Sequence, residues 1–261
     1  MEQAGKAVGL ASGVVAGLRL PQEVVAAARS AFANYEQAAR ASSAERAEPP
    51  DTAPGPSALA TAALFAEYVW SEGAAAVAAA IFEAFEETYC SGQNIHAQAH
   101  DAGIEGGQAE AVLRAYYAAR DMYIRARGAL AVPVPRQALF STPQFRILAA
   151  FGGQGGMDNY IDEARTVFSI YRPLVVDFVL RMSDFLKREA AEPQFARHYP
   201  HGLDAMRWIL SPEDTPAQEY MVTVPVCIPL VGLVQLMHVV VLYKSLVISP
   251  AELADRFQCK L

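Results

Sequence analysis

Apolar positions recur at helical spacing along most of the chain. Val25, Ala28, Phe32 and Tyr35 are three, four and three residues apart, which sets them on one face of an α-helix. Pro21 stands at the favoured first position of that helix, and the stripe fades near Arg40. Residues 1–20 are more weakly patterned and read as a lead-in. Residues 41–57 are rich in Pro, Ser and Ala with few large apolar groups, and read as an exposed linker. Ser57 then suits the cap of a helix carrying Leu64, Phe65, Tyr68 and Val69. Beyond Ser71-Glu72-Gly73, the spacing of Val77, Ile81, Phe85 and Tyr89 predicts another helix, broken at Ser91-Gly92. A short helix follows with Ile95 and His96, and a long one with Val112, Leu113, Tyr116, Tyr117 and Ile124. Pro133 and Pro135 close this all-helical stretch with an extended segment.

The pattern then changes. Residues 144–151 (QFRILAAF) are short, apolar and followed by glycines, as a strand would be. After Gly152-Gly153-Gln154-Gly155-Gly156 comes a helix with Ile161, Ala164, Phe168 and Tyr171 on one face. Pro173 starts another with Val175, Phe178, Met182 and Phe185. Strand, glycine turn and helix form the opening of an α/β unit. Residues 220–243 carry no Asp, Glu, Lys or Arg, and are long enough to cross a bilayer. Pro225 and Pro229, four apart, argue against one helix from Tyr220. A helix from Pro229 to about Val247 is expected, and apolar character all round favours a buried core helix over a membrane span. The fold class expected is mainly α with a partial α/β core. Three segments follow: lead-in 1–20, a helical region 21–135, and 136–261.

Composition adjusts this picture. The chain has 261 residues, 53% of them hydrophobic, but 41 of its 49 alanines precede residue 151, so the percentage overstates the large side chains available for a core. That alanine bias reads as codon bias plus helical propensity. A net charge of −7 with only four lysines and seventeen scattered arginines excludes a dedicated nucleic-acid binder. Cys90, Cys227 and Cys259 are too few and too dispersed for a disulfide framework, which points to a reducing compartment. No basic stretch followed by an apolar run marks the N-terminus, so no secretory signal is expected. A cytoplasmic location follows. The closing Cys259-Lys260-Leu261 is a weak match to a peroxisomal address.

Candidate chemistry is sparse. His96 and His100 are one helical turn apart, but the Glu that a zinc-protease helix needs after the first His is replaced by Ala97, so packing or surface roles are expected and no metal is assigned. His198 and His201 flank Tyr199-Pro200 in a loop. Glu86-Glu87 and Asp162-Glu163 read as solvated helix faces. The glycine run departs from both the dinucleotide fingerprint and the phosphate loop. Its glycines still let a backbone approach a ligand closely, and the main-chain N–H of Gln154 could donate to a developing oxyanion. No Gly-x-Ser-x-Gly nucleophile turn occurs in the sequence.

Several longer motifs, in order, resemble the start of the acetyltransferase region of the fungal-type fatty acid synthase β subunit. They are Phe151-Gly-Gly-Gln-Gly-Gly156 with Asp158-Asn-Tyr160; Gly202-Leu-Asp-Ala-Met-Arg-Trp-Ile-Leu-Ser-Pro-Glu-Asp-Thr-Pro216; Val224-Pro-Val-Cys-Ile-Pro-Leu-Val-Gly-Leu-Val-Gln-Leu-Met-His238; and Ser249-Pro-Ala-Glu-Leu253. Upstream, Gly92-Gln-Asn-Ile-His-Ala97 and Tyr116-Tyr-Ala-Ala-Arg-Asp-Met122 are similar to the helical segment that precedes that region. The resemblance spans about residues 10–257. It implies the incomplete start of an acyl-carrier-protein transacylase fold within 136–261. It also implies acyl transfer from coenzyme A to a serine and on to the phosphopantetheine of an acyl carrier protein. Gln154 would contribute an oxyanion-hole N–H, and Gly153 and Gly155 would flank the substrate. Acyl-CoA and phosphopantetheine would be substrates, with no cofactor held by this chain. The α subunit and the carrier protein would be partners. The family's Gly-His-Ser-x-Gly turn and catalytic His are expected beyond Leu261, so this chain alone is expected to be inactive. Two alternatives are a non-catalytic assembly or docking module of a split synthase, and a membrane-associated protein using residues 220–243.

Overall fold

A computed structural model describes residues 12–45, 57–72, 75–90, 93–128 and 160–257. About 80% of these are helical, and the one sheet among them is a two-stranded antiparallel hairpin, so the fold is mainly α. The expected strand at 144–151, the glycine run, the Pro133–Pro135 closure, most of the linker and the C-terminal tripeptide lie outside the described residues. The chain divides into two compact units, Met1–Pro133 and Val134–Leu261.

The first unit opens with a hairpin where the sequence suggested only a lead-in. Strands β1 (Ser12–Val15) and β2 (Leu18–Pro21) pair with Gly13 opposite Leu20 and Val15 opposite Leu18. Their two-residue turn places both Ala16 (φ 52°) and Gly17 (φ 79°) in the left-handed region, the mirror-image turn whose twist matches that of paired strands. Leu18 and Leu20 are fully buried. A methyl on Gly13 would meet Val25 at 2.9 Å, so glycine is what lets β1 lie against the next helix.

That helix, α1, runs Gln22–Glu45. Two corrections follow. Pro21 closes β2 rather than opening the helix, and α1 continues five residues past Arg40, taking in the start of the expected linker. Ala41 and Ala44 are strong helix formers, and Ser42 and Ser43 impose little penalty, so nothing in that stretch ends a helix.

Helix α2 (Ala58–Ser71) begins as expected, with Ser57 Oγ accepting from the Ala60 N–H at 3.1 Å. Helix α3 (Ala75–Phe85) passes into a π-helical turn, Glu86–Cys90, and is followed by α4 (Ile95–Asp101) and α5 (Gly106–Arg127). Asn94 caps α4 by accepting from the His96 N–H at 2.8 Å. The alanines have a packing role here. Ala62, Ala63, Ala66, Ala78, Ala79, Ala115 and Ala119 are buried where α2, α3 and α5 meet, and their small side chains let the helices approach. Volume comes from aromatics: Phe32, Tyr35, Phe65 and Tyr68 form one cluster, and Phe82 packs at a tilt against Tyr123 with ring centres 5.0 Å apart.

In the second unit, α6 (Tyr160–Ala191) is one helix with a kink at Tyr171 (φ −113°, ψ 24°), two residues before Pro173. The two helices expected there are thus joined end to end, because the proline ring disfavours regular helix just ahead of it. Short helices α7 (Ala205–Leu210) and α8 (Gln218–Met221) lead to α9 (Val224–Ser245), which packs along α6.

The sequence placed the start of α9 at Pro229, and the structure places it five residues earlier. Pro225 falls in the first turn, where its missing N–H is no loss. Pro229 cannot donate to the Pro225 carbonyl four residues back, and that carbonyl instead accepts from the Tyr199 hydroxyl at 3.1 Å. Nor is α9 buried all round. Val226, Leu230, Leu233, Val234, Met237 and Val241 face inward, while Val224 (60% exposed), Ile228 (56%) and Leu236 (46%) face outward. By length and composition α9 could cross a membrane, and it is the one such helix among the described residues. Its C-terminal end has a Schellman closure: the Ile248 N–H donates to Tyr243 O (3.0 Å) and the Val247 N–H to Lys244 O (3.3 Å), with Val247 at φ 53°. Helix α10 (Pro250–Phe257) follows on a capping box, in which Ser249 Oγ accepts from the Glu252 N–H and Glu252 Oε2 accepts from the Ser249 N–H.

Candidate functional site

Gln154, Gly153 and Gly155, the residues tied to oxyanion stabilisation, lie outside the described residues. What the structure does place is the segment after α6, which contains the Gly202–Pro216 motif, and the motif's polar residues are tied into the surrounding helices.

Arg165 of α6 is the centre of this arrangement. Its Nε and Nη2 both donate to the Trp208 carbonyl, at 3.1 and 2.7 Å, and its guanidinium also reaches Thr215 Oγ1 and Asp162 Oδ1. The planar fork thus joins the end of α7 to the loop beyond it and to its own helix. About two turns before the end of α6, buried Ser183 accepts from the Met206 N–H at 2.8 Å and donates to Asp204 Oδ1. Asp204 also caps α7 through the Arg207 N–H and pairs with Lys187 Nζ at 2.8 Å. Partial burial disfavours its charge, but Lys187, the Arg207 N–H and Ser183 outweigh that and hold the carboxyl below its ordinary value of 3.8. Arg207 grips Asp214 through two bonds of 3.0 Å. Gly202 has φ 70°, and its carbonyl accepts from the Tyr220 hydroxyl, while Tyr220 meets the ring of His201 edge-on at 5.0 Å. A surface recess of about 510 Å³ on α6 is lined by Arg181, Asp184, Lys187 and Arg188, all from that one helix.

His96 Nε2 lies 3.0 Å from the Tyr117 hydroxyl, and burial holds its pKa below 6.5. His100 is exposed, and the two do not form a metal pair; among the described residues no group of three or more His, Cys, Asp or Glu could hold an ion. His198 lies in a short 3-10 turn, Ala196–His198, rather than the expected loop, and its Nε2 accepts from Arg197 Nε at 3.0 Å. His238 meets Glu163 at 3.0 Å, linking α9 to α6.

One acidic pair is a correction. Asp162 and Glu163 are exposed partners of Arg165 and His238, but Glu86 is not on a solvated face. It is 6% exposed and accepts from the Tyr116 hydroxyl at 2.8 Å, with Arg120, 9% exposed, nearby. The π-turn widens the backbone there and turns Glu86 inward while Glu87 stays in solvent. Burial raises the Glu86 pKa, and the Tyr116 bond and the Arg120 charge offset only part of this. Burial together with the Glu86 charge pushes the Cys90 thiol far above the usual thiol range. Sequence reasoning missed Arg165, Ser183 and Asp204 as organising residues, because the partners that join them to other elements are 17 to 50 positions away.

No family model matches the chain. Individual proteins do. A fatty acid synthase subunit beta of Schizosaccharomyces pombe is 31% identical over 173 residues, which is 66% of this chain and 8% of that protein. The subunit of the same description in Saccharomyces cerevisiae is 31% identical over 180 residues, 65% of this chain and 8% of that protein. The chain's homologues are fatty acid synthase β subunits. A fatty acid synthase 2 of Mycosarcoma maydis is 31% identical over 187 residues, covering 69% of this chain and 5% of its own length. The chain therefore spans less than a tenth of the length of these fatty acid synthase relatives. About two thirds of the chain is similar in sequence to a segment of such subunits.

Proposed function

We propose that this chain forms the helical lead-in and the opening part of the starter acyltransferase region of a fatty acid synthase β subunit, acting in fatty acid biosynthesis. The observation that carries the reading is the similarity of two thirds of the chain to such subunits. In the proposed reaction a serine hydroxyl attacks the thioester carbonyl of an acyl-CoA. The tetrahedral intermediate collapses with loss of the coenzyme A thiolate. The phosphopantetheine thiol of an acyl carrier protein then takes the acyl group and restores the serine. Gln154 donates its main-chain N–H to the oxyanion, and Gly153 and Gly155 leave room for the backbone to approach. The sequence contains no Gly-x-Ser-x-Gly turn, so the nucleophile comes from polypeptide joined to or assembled with this segment, and the isolated chain is inactive. The α subunit and the carrier protein are the proposed partners, in the cytoplasm.

The outward apolar residues of α9 favour a second reading, a non-catalytic assembly module that packs against another polypeptide.

Radiolabelled acetyl-CoA separates the two. The chain alone should acquire no label. Assembled with a relative's segment carrying the nucleophile and base, it should form a labelled serine ester that discharges to acyl carrier protein. Gln154→Pro, which removes the N–H, should slow this about 10²-fold or more, and Gln154→Ala, which keeps it, should not. An assembly that forms but takes no label would leave only the docking role.

A further inference from the structure

We draw no further inference here: the strongest candidate, the uncharged outward stripe of α9 from Val224 through Ile228 and Gly232 to Leu236, is an unpartnered apolar face, and nothing in the structure shows what covers it.

Discussion

The Tyr199 hydroxyl donates to the Pro225 carbonyl, 26 residues further along the chain, and so fills the gap that Pro229 leaves in the α9 ladder. A buried or half-buried carbonyl without a partner costs about 1–3 kcal/mol, so this one bond is comparable with the penalty it offsets. Tyr199→Phe should lower the stability of the second unit by about 1 kcal/mol in urea unfolding. In a Pro229→Ala background the restored N–H takes over, and the same substitution should then cost much less. Equal costs in both backgrounds would refute the coupling.

Val247 ends α9 in a conformation that suits glycine. A β-branched residue in the left-handed region carries about 1–2 kcal/mol of strain, and both closing hydrogen bonds are main-chain bonds that a side-chain change leaves intact. Val247→Gly should therefore stabilise the chain by about 1 kcal/mol, less the entropy that glycine adds to the unfolded state. Calorimetry should show a higher Tm; a lower one would mean that the Val247 side chain contributes more packing than its partial exposure suggests.

Glu86 predicts a pH dependence with a definite sign. Its pKa in the folded chain lies above 4.5, so its contribution to stability is fully present below that pH and is lost as pH rises through the folded value. Deprotonation at higher pH places a carboxylate in this buried position. Glu86→Gln keeps an acceptor for Tyr116 and should be more stable than the parent at pH 7.5. The gap should narrow as pH falls toward 4. A gap independent of pH would show that Arg120 fully compensates the buried charge.

Arg165 tests whether the Gly202–Pro216 motif is held by geometry or by charge alone. Lysine keeps the charge but cannot serve the Trp208 carbonyl, Thr215 and Asp162 together. Arg165→Lys should cost about 1–2 kcal/mol. The sequence has two tryptophans, Trp70 in the first unit and Trp208 in the second, so the change can be read from Trp208 fluorescence in a Trp70→Phe background. An unchanged unfolding midpoint would show that the fork is dispensable.

Local signals in the sequence determined where several helices begin and bend. Ser57 sits next to the N–H it caps, Pro173 restricts the residues just ahead of it, and the stripe through Ile161, Ala164 and Phe168 marks the inner face of α6. The relation to fatty acid synthase was likewise legible in the order of motifs. Other features were not. A hairpin of four-residue strands is too short to show a clear alternation, so β1 and β2 were missed.

Only the tertiary structure decided that α9 starts at Val224, that Glu86 turns inward, and that His238 meets Glu163 across 75 residues of sequence. Helical periodicity reports which side chains share a face over a few turns. It carries no information about which distant donor arrives to satisfy a carbonyl, or whether an apolar face finds a partner. Proline therefore forbade the helix locally, and a tyrosine hydroxyl from another loop permitted it.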